Sequence, residues 1–171
     1  KAPLVLGHEI TGEVVEVGVG IQHFKIGDRV FSSHHVPCGK CRYCVVGHQS
    51  VCELLRTTHF DPGGFAEYIR VPRINVELGT LRIPDSMTFD EGSFIEPLAC
   101  VVRAQRFADI GPGQTVLVIG SGISGLLHLQ LARARGAARI IATDISEYRL
   151  NAAKRFGADG IINGAEDVPA R

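Results

Sequence analysis

Apolar and polar positions divide the chain into two stretches of different rhythm. In the first, short valine-rich runs are punctuated by glycine. Glu13 to Val17 and Asp28 to Phe31 read as strands, with turns at Gly18–Gly20 and Gly27–Asp28. Residues 32–53 show no apolar periodicity and read as a loop lobe. Phe65 to Val71 alternates as a further strand after the Pro62-Gly63-Gly64 turn. The rhythm changes near Asp85. Thr88 to Phe107 has helical spacing, broken at Glu96-Pro97, where proline suits the first turn of a new helix. Strands and helices then alternate: strand Thr115–Ile119, helix Ser121–Arg135, strand Arg139–Thr143, helix Ser146–Phe156 and strand Gly160–Ile162. Ile123, Leu126, Leu127, Leu131 and Ala134 share one face of the first of these helices. The fold class is therefore α/β with a β-rich module preceding the start of a parallel sheet.

Composition narrows the field. The 171 residues suit one domain or two small ones, and 45% apolar against 21% charged residues can bury a core. Eighteen basic and eighteen acidic side chains cancel, so no basic excess points to nucleic acid or to an anionic membrane. The longest apolar runs, such as Leu98 to Val102, fall far short of the roughly 20 residues needed to span a bilayer. No cleavable leader is visible. The chain opens at Lys1, directly into a motif, which suggests missing upstream residues.

Four of the five cysteines, Cys38, Cys41, Cys44 and Cys52, lie within fifteen residues. A secreted disulfide scaffold would spread them through the chain, so the clustering favours metal and a reducing, cytoplasmic compartment. Three thiolates at two-residue intervals can wrap one ion, and the fourth closes a tetrahedral shell, as in a structural zinc site. The lobe spans about residues 36–53. Two disulfides, free buried thiols or an iron–sulfur cluster are the other readings of the same spacing. A nucleic-acid-binding zinc ribbon fits poorly, with only Lys40 and Arg42 as basic residues inside the lobe.

Gly120-x-Gly122-x-x-Gly125 follows a strand and opens a helix, and Asp144 ends the next strand twenty-four residues after Gly120. Such glycines let a backbone approach a pyrophosphate at a helix N-terminus, and Asp144 can accept hydrogen bonds from ribose hydroxyls while repelling a 2′-phosphate. Gly120, Gly122, Ile123, Gly125, Asp144 and Arg149 are the candidate NAD-binding set; the competing reading is a tight turn of purely structural glycines.

Gly7-His8-Glu9-x-x-Gly12-x5-Gly18 and Phe24-Lys25-x-Gly27-Asp28-Arg29-Val30 closely resemble the zinc-containing medium-chain dehydrogenase/reductase family. The resemblance continues in family order through the cysteine lobe, Gly63-Gly64-Phe65-Ala66-Glu67-Tyr68, Glu96-Pro97-Leu98-Ala99-Cys100 and the glycine fingerprint. It implies a GroES-like catalytic domain over 1–97, truncated at its N-terminus, and a Rossmann doubly wound sheet over 98–171, truncated after its third strand. His8 resembles the histidine that binds catalytic zinc, and Glu9 the carboxylate that ligates that ion or lies behind it. Glu96 stands where the sorbitol, xylitol and threonine dehydrogenase side of the family has a glutamate. Cys100 reads as a buried apolar thiol. His23, His48, His59 and His128 read as surface or helix-face residues, while His34 and His35 precede the lobe, within reach of the cleft, and neither is assigned a role.

The family's first zinc-ligand cysteine has no counterpart before Gly7, and the nicotinamide half of the cofactor domain is missing after Arg171. A longer parent enzyme is expected. It would oxidise a secondary alcohol of a polyol, sugar alcohol or hydroxy amino acid with zinc and NAD, as a homodimer or homotetramer acting on a small molecule. A primary alcohol or aldehyde dehydrogenase, or a non-catalytic zinc-stabilised module, are the competing readings.

Overall fold

A computed structural model describes residues 5–166; the outer ends of the two expected domains, at Lys1 and Arg171, lie outside them. The chain divides into two compact units, Lys1–Glu96 and Pro97–Arg171.

The first unit holds a three-stranded antiparallel sheet in the order β1-β2-β3, from β1 (Thr11–Glu13), β2 (Arg29–Ser32) and β3 (Thr80–Arg82). Thr11 faces Phe31, and Phe31 faces Leu81 across the next pair. β1 stops at Glu13, short of the Glu13–Val17 strand expected from its valines. Two more backbone bonds, Val14 N–H to Asp28 O and Gly27 N–H to Val14 O, close the ladder, and Val15 is exposed. The strand expected at Phe65–Val71 does not form: among the described residues, an isolated bridge joins Asp61 to Arg70. Gly64 and Phe65 instead pair by backbone with Gly7 and Leu6, and Phe65 and Tyr68 face solvent, so the alternation marks no sheet face. The cysteine lobe is loop apart from α1 (Arg42–Val45) and a 3-10 turn, Gln49–Val51, and a second 3-10 turn, Leu54–Arg56, follows it.

Between the lobe and β3 runs α2 (Arg73–Gly79), which carries the ion pair Arg73–Glu77 at helical spacing. After β3, α3 (Phe89–Ser93) begins at a reciprocal cap. Thr88 Oγ1 accepts from Glu91 N–H at 3.1 Å, and Glu91 Oε2 accepts from Thr88 N–H at 2.8 Å. α4 (Ile95–Phe107) follows at once. The break between the two helices is at Phe94, two residues before the expected point, and Pro97 sits in the first turn, where its missing N–H has no helical partner to lose. Cys100 is exposed, not buried: α4 buries Val101 and Gln105, one turn apart, and Cys100 lies off that stripe.

The second unit is a parallel sheet in the order β4-β5-β6, from β4 (Thr115–Ile119), β5 (Arg139–Asp144) and β6 (Gly160–Asn163). α5 (Ile123–Ala134) and α6 (Glu147–Arg155) make the crossovers. The α5 face differs from the expected one. Gly125, Leu129 and Ala132 are buried, whereas Ile123 and Ala134 are exposed. The reason is Gly125: a Cβ there would collide with the carbonyl oxygen of Gly120, so the helix can press its glycine side onto the strand end. Val118, Leu129, Ala132, Ala137, Ile140, Ala142 and Ala153 form the core. Small residues dominate it, so each large one matters. Leu129→Ala, at a side chain with no solvent exposure, should cost about 2–5 kcal/mol of unfolding free energy in urea denaturation, with the m-value unchanged.

Candidate metal centres and cofactor turn

In the first unit, His8 and Glu9 lie in the extended segment before β1, held by Gly64 N–H donating to Gly7 O and Phe65 N–H to Leu6 O, both at 2.8 Å. Glu96 comes from the first turn of α4. Its position follows from α3, which docks on β1. Thr11 Oγ1 donates to Phe89 O at 2.8 Å, and Gly92 lies so close that an added Cβ would sit 2.6 Å from Thr11 Cγ2. His8 Nε2 thereby stands 3.8 Å from Glu96 Oε2, and with Glu9 the three offer ligand atoms all within 4.8 Å of one another. The His8 side chain is 51% exposed and that of Glu96 24%, so one side of this group is open.

The cysteine lobe differs in kind. Cys38, Cys41, Cys44 and Cys52 place their sulfurs within the same 4.8 Å limit, with Cys44 and Cys52 buried. Cys38 Sγ to Cys44 Sγ is 3.9 Å and Cys41 Sγ to Cys44 Sγ 3.5 Å, against about 3.8 Å for two sulfurs each about 2.3 Å from one tetrahedral ion. No disulfide joins them. Backbone N–H groups already point at the sulfurs: Cys41 N–H donates to Cys38 Sγ at 3.3 Å and Cys38 N–H to Cys52 Sγ at 3.4 Å. The N–H groups of Cys38 and Leu55 pull the Cys52 thiol down to about 6. Those of Lys40 and Cys41 lower Cys38, while burial, reinforced by the neighbouring thiols, pushes Cys44 up to about 12. Four thiols this close cannot all ionise alone; a divalent cation removes the conflict.

A third group gathers beside the first. His34, His35 and His59 offer ring nitrogens within 4.8 Å of one another, and the His34 ring centroid is 5.8 Å from that of His8. Burial lowers His34 to about 4, with His35, His59 and His8 adding to the effect, so its imidazole is neutral at physiological pH. His59 is exposed, as expected from sequence, yet it belongs to a cluster that the sequence did not reveal; the adjacent His34-His35 pair was the available signal.

In the second unit, Gly120 turns the chain with φ +89 between β4 and α5. Asp144, at the end of β5, spans two loops: its Oδ2 accepts from Ser121 N–H and its Oδ1 from Ser146 N–H, each at 2.9 Å. These two bonds, helped by Arg149 at 3.8 Å, hold the buried carboxyl below its ordinary value. Gly122 has open space where a Cβ would stand, and Ile123 is exposed beside it. The expected glycine, aspartate and arginine positions therefore come together around one turn.

Comparison with known families assigns both units. Residues 1–84 match the alcohol dehydrogenase GroES-like domain, and residues 124–171 match the zinc-binding dehydrogenase family. The chain belongs to the zinc-type medium-chain dehydrogenases. Among relatives of these dehydrogenases, sorbitol dehydrogenase of Bacillus subtilis (strain 168) is 40% identical over 166 residues, covering 95% of this chain and 46% of its own. Galactitol-1-phosphate dehydrogenase from Escherichia coli superposes with a TM-score of 0.86 at 36% identity, over 99% of this chain and 49% of its own. A zinc-binding dehydrogenase from Sinorhizobium meliloti 1021, bound to NADP, gives a TM-score of 0.86 at 34% identity, over 98% of this chain and 48% of its own. The chain spans about half the length of the curated relatives it matches. Among the described residues, no helix is long and apolar enough to cross a membrane.

The Asp144 bonds make a pH prediction. Its folded pKa lies below the ordinary carboxylate value, so its contribution to stability is present above about pH 3.8 and is lost as pH falls through the lowered value. The difference in urea midpoint between the native protein and Asp144→Asn should be widest near neutrality and close in acid. A gap constant with pH would contradict the account.

Proposed function

We propose that the full-length protein is a zinc-dependent oxidoreductase that transfers hydride from a secondary alcohol of a polyol or sugar alcohol to NAD. The observation that carries this reading is the meeting of His8, Glu9 and Glu96 within 4.8 Å. One imidazole and two carboxylates on an open-sided site suit a zinc ion that keeps room for substrate, unlike the filled shell of the four cysteines. His8 and Glu96 would hold the ion, and Glu9 would ligate it or orient the ligands from behind. Bound there, zinc would supply Lewis-acid activation of an alcohol hydroxyl, and NAD would supply the hydride acceptor. Cys38, Cys41, Cys44 and Cys52 would hold a second zinc with a purely structural role.

The residues of the chain contribute charge and position. Glu96 places a carboxylate oxygen 3.8 Å from His8 Nε2, so the two would face one shared ion. In the second unit, the Gly120–Gly125 turn presents the α5 N-terminus to a pyrophosphate, and Asp144 places a charged carboxylate where a 2′-phosphate would stand. This supports NAD over NADP, although the Sinorhizobium relative was crystallised with NADP. The sorbitol and galactitol-1-phosphate relatives support a polyhydroxylated substrate.

In the full-length protein, His8→Ala should abolish alcohol oxidation and release one zinc per chain, leaving the zinc of the cysteine lobe in place. Metal analysis beside steady-state rates reads both effects, and retained activity would remove the zinc–alcohol mechanism. The native enzyme should have the higher kcat/KM with NAD, and Asp144→Gly should narrow that preference. Equal efficiency with NADP before mutation would overturn the cofactor assignment.

A further inference from the structure

We propose that His34, His35 and His59 form an additional metal site, which takes a borderline divalent cation such as zinc or cobalt through three imidazole nitrogens. The donor spacing is the first support. His34 Nδ1 and His35 Nε2 are 3.1 Å apart, close to the roughly 3.3 Å edge between two nitrogens bound about 2.0 Å from a tetrahedral ion. His59 offers a third nitrogen within 4.8 Å of both, and its exposed side chain can close the remaining distance by rotation.

The second support is the tautomer. His35 Nδ1 faces the carbonyl oxygen of Thr58 at 3.2 Å. A carbonyl can only accept, so Nδ1 carries the proton, and the lone pair of Nε2 faces the cluster, where it accepts from His34 Nδ1–H. A bound ion would take the place of that proton as His34 shifts to its other neutral tautomer. A metal-binding histidine is oriented in this way by a hydrogen bond behind it.

The third support is rigidity. Buried Asn75 donates to the carbonyls of Ser33 and His34, both at 2.9 Å, and Ser33 Oγ donates to His35 O at 2.8 Å. Thr58 Oγ1 accepts from Val36 N–H at 3.1 Å, which pins the segment bearing His59 to the segment bearing the pair. The imidazoles are thus brought together by tertiary bonds across more than twenty residues of chain.

The ligand set selects the ion. Three imidazoles with no carboxylate suit zinc, cobalt, nickel or copper and disfavour calcium and magnesium. Three protein ligands leave a fourth position for water. Because His34 lies against His8, an ion here would stand beside the proposed alcohol site and obstruct its substrate, so excess zinc should inhibit turnover. That consequence rests on the function proposed above; the binding itself does not.

The test is a zinc titration of the metal-replete full-length protein against a chromophoric chelator, repeated with cobalt to read its visible d–d bands. One further equivalent per chain should bind at micromolar free metal. His59→Gln and His35→Ala should each weaken that equivalent at least about tenfold. His59 is exposed, so the conservative variant should fold. His8→Ala should leave the further equivalent in place, which separates this site from the proposed alcohol site. Three results would overturn the proposal: no further equivalent, uptake unchanged in the histidine variants, or loss of the equivalent in His8→Ala. A raised KM for a polyol in His59→Gln with metal uptake unchanged would likewise overturn it, by assigning the imidazoles to substrate contact.

Discussion

The close approach of α3 to β1 is the constraint on which the first unit's chemistry depends. His8 and Glu96 are eighty-eight residues apart, so only the tertiary fold can bring them together. Gly92 lets α3 lie against Thr11, and the Thr11 hydroxyl fastens the helix start through Phe89 O. The reciprocal cap at Thr88 and Glu91 fixes where α3 begins, and Phe94 ends it, so the next turn delivers Glu96 to His8. A larger residue at position 92 would push the helix outward and part the imidazole from the carboxylate without touching either.

Three donor groups within one unit have three different architectures. The cysteines form a complete shell, supplied by one loop and served by N–H groups that stabilise thiolate charge. Such a shell leaves no position for a reactant, and its energy belongs to folding. His8, Glu9 and Glu96 come from two distant segments and stay open to solvent on one side, as a site that exchanges ligands must. The histidine trio lies between these extremes: hydrogen bonds hold its His34-His35 arm, and ring contacts with that pair place the exposed His59.

Much of this was legible in sequence because it depended on local spacing. The cysteines lie close enough to define their lobe, and the glycine fingerprint sits between a strand and a helix whose apolar patterns are plain. The parallel half of the fold, β4 through β6, matched its pattern within a residue or two at most boundaries. The first unit was harder to read. Its strands are three or four residues long, too short for a period of two to separate from chance, and this hid β3 and extended β1. α2 was missed although Pro72 precedes it and Arg73–Glu77 is a helical ion pair, because Asn75 is the residue it buries and no apolar stripe announces it. Phe65–Val71 alternated but found no neighbouring chain to continue a ladder among the described residues. Of the histidine cluster the sequence offered just the adjacent His34-His35 pair, because the bond from Val36 to Thr58 that brings in the His59 segment is tertiary.

Asp144 has a structural role that bears on the recognition proposed for it. Its two oxygens each accept a main-chain N–H, one from the glycine turn and one from the start of α6, so the carboxylate ties together the loops that would surround an adenosine ribose. An ionised carboxylate has about four lone-pair sites, so these bonds leave acceptor capacity that a ribose hydroxyl would be able to use. The same charge that would repel a 2′-phosphate is thus used to hold the turn. Removing it to admit NADP leaves Ser121 and Ser146 without their acceptor, and Arg149, 3.8 Å away, without its counter-charge. If Asp144 discriminates the cofactor as proposed, a switch at this position needs compensation in the turn itself, since the lost carboxylate also removes the acceptor of Ser121 N–H and Ser146 N–H.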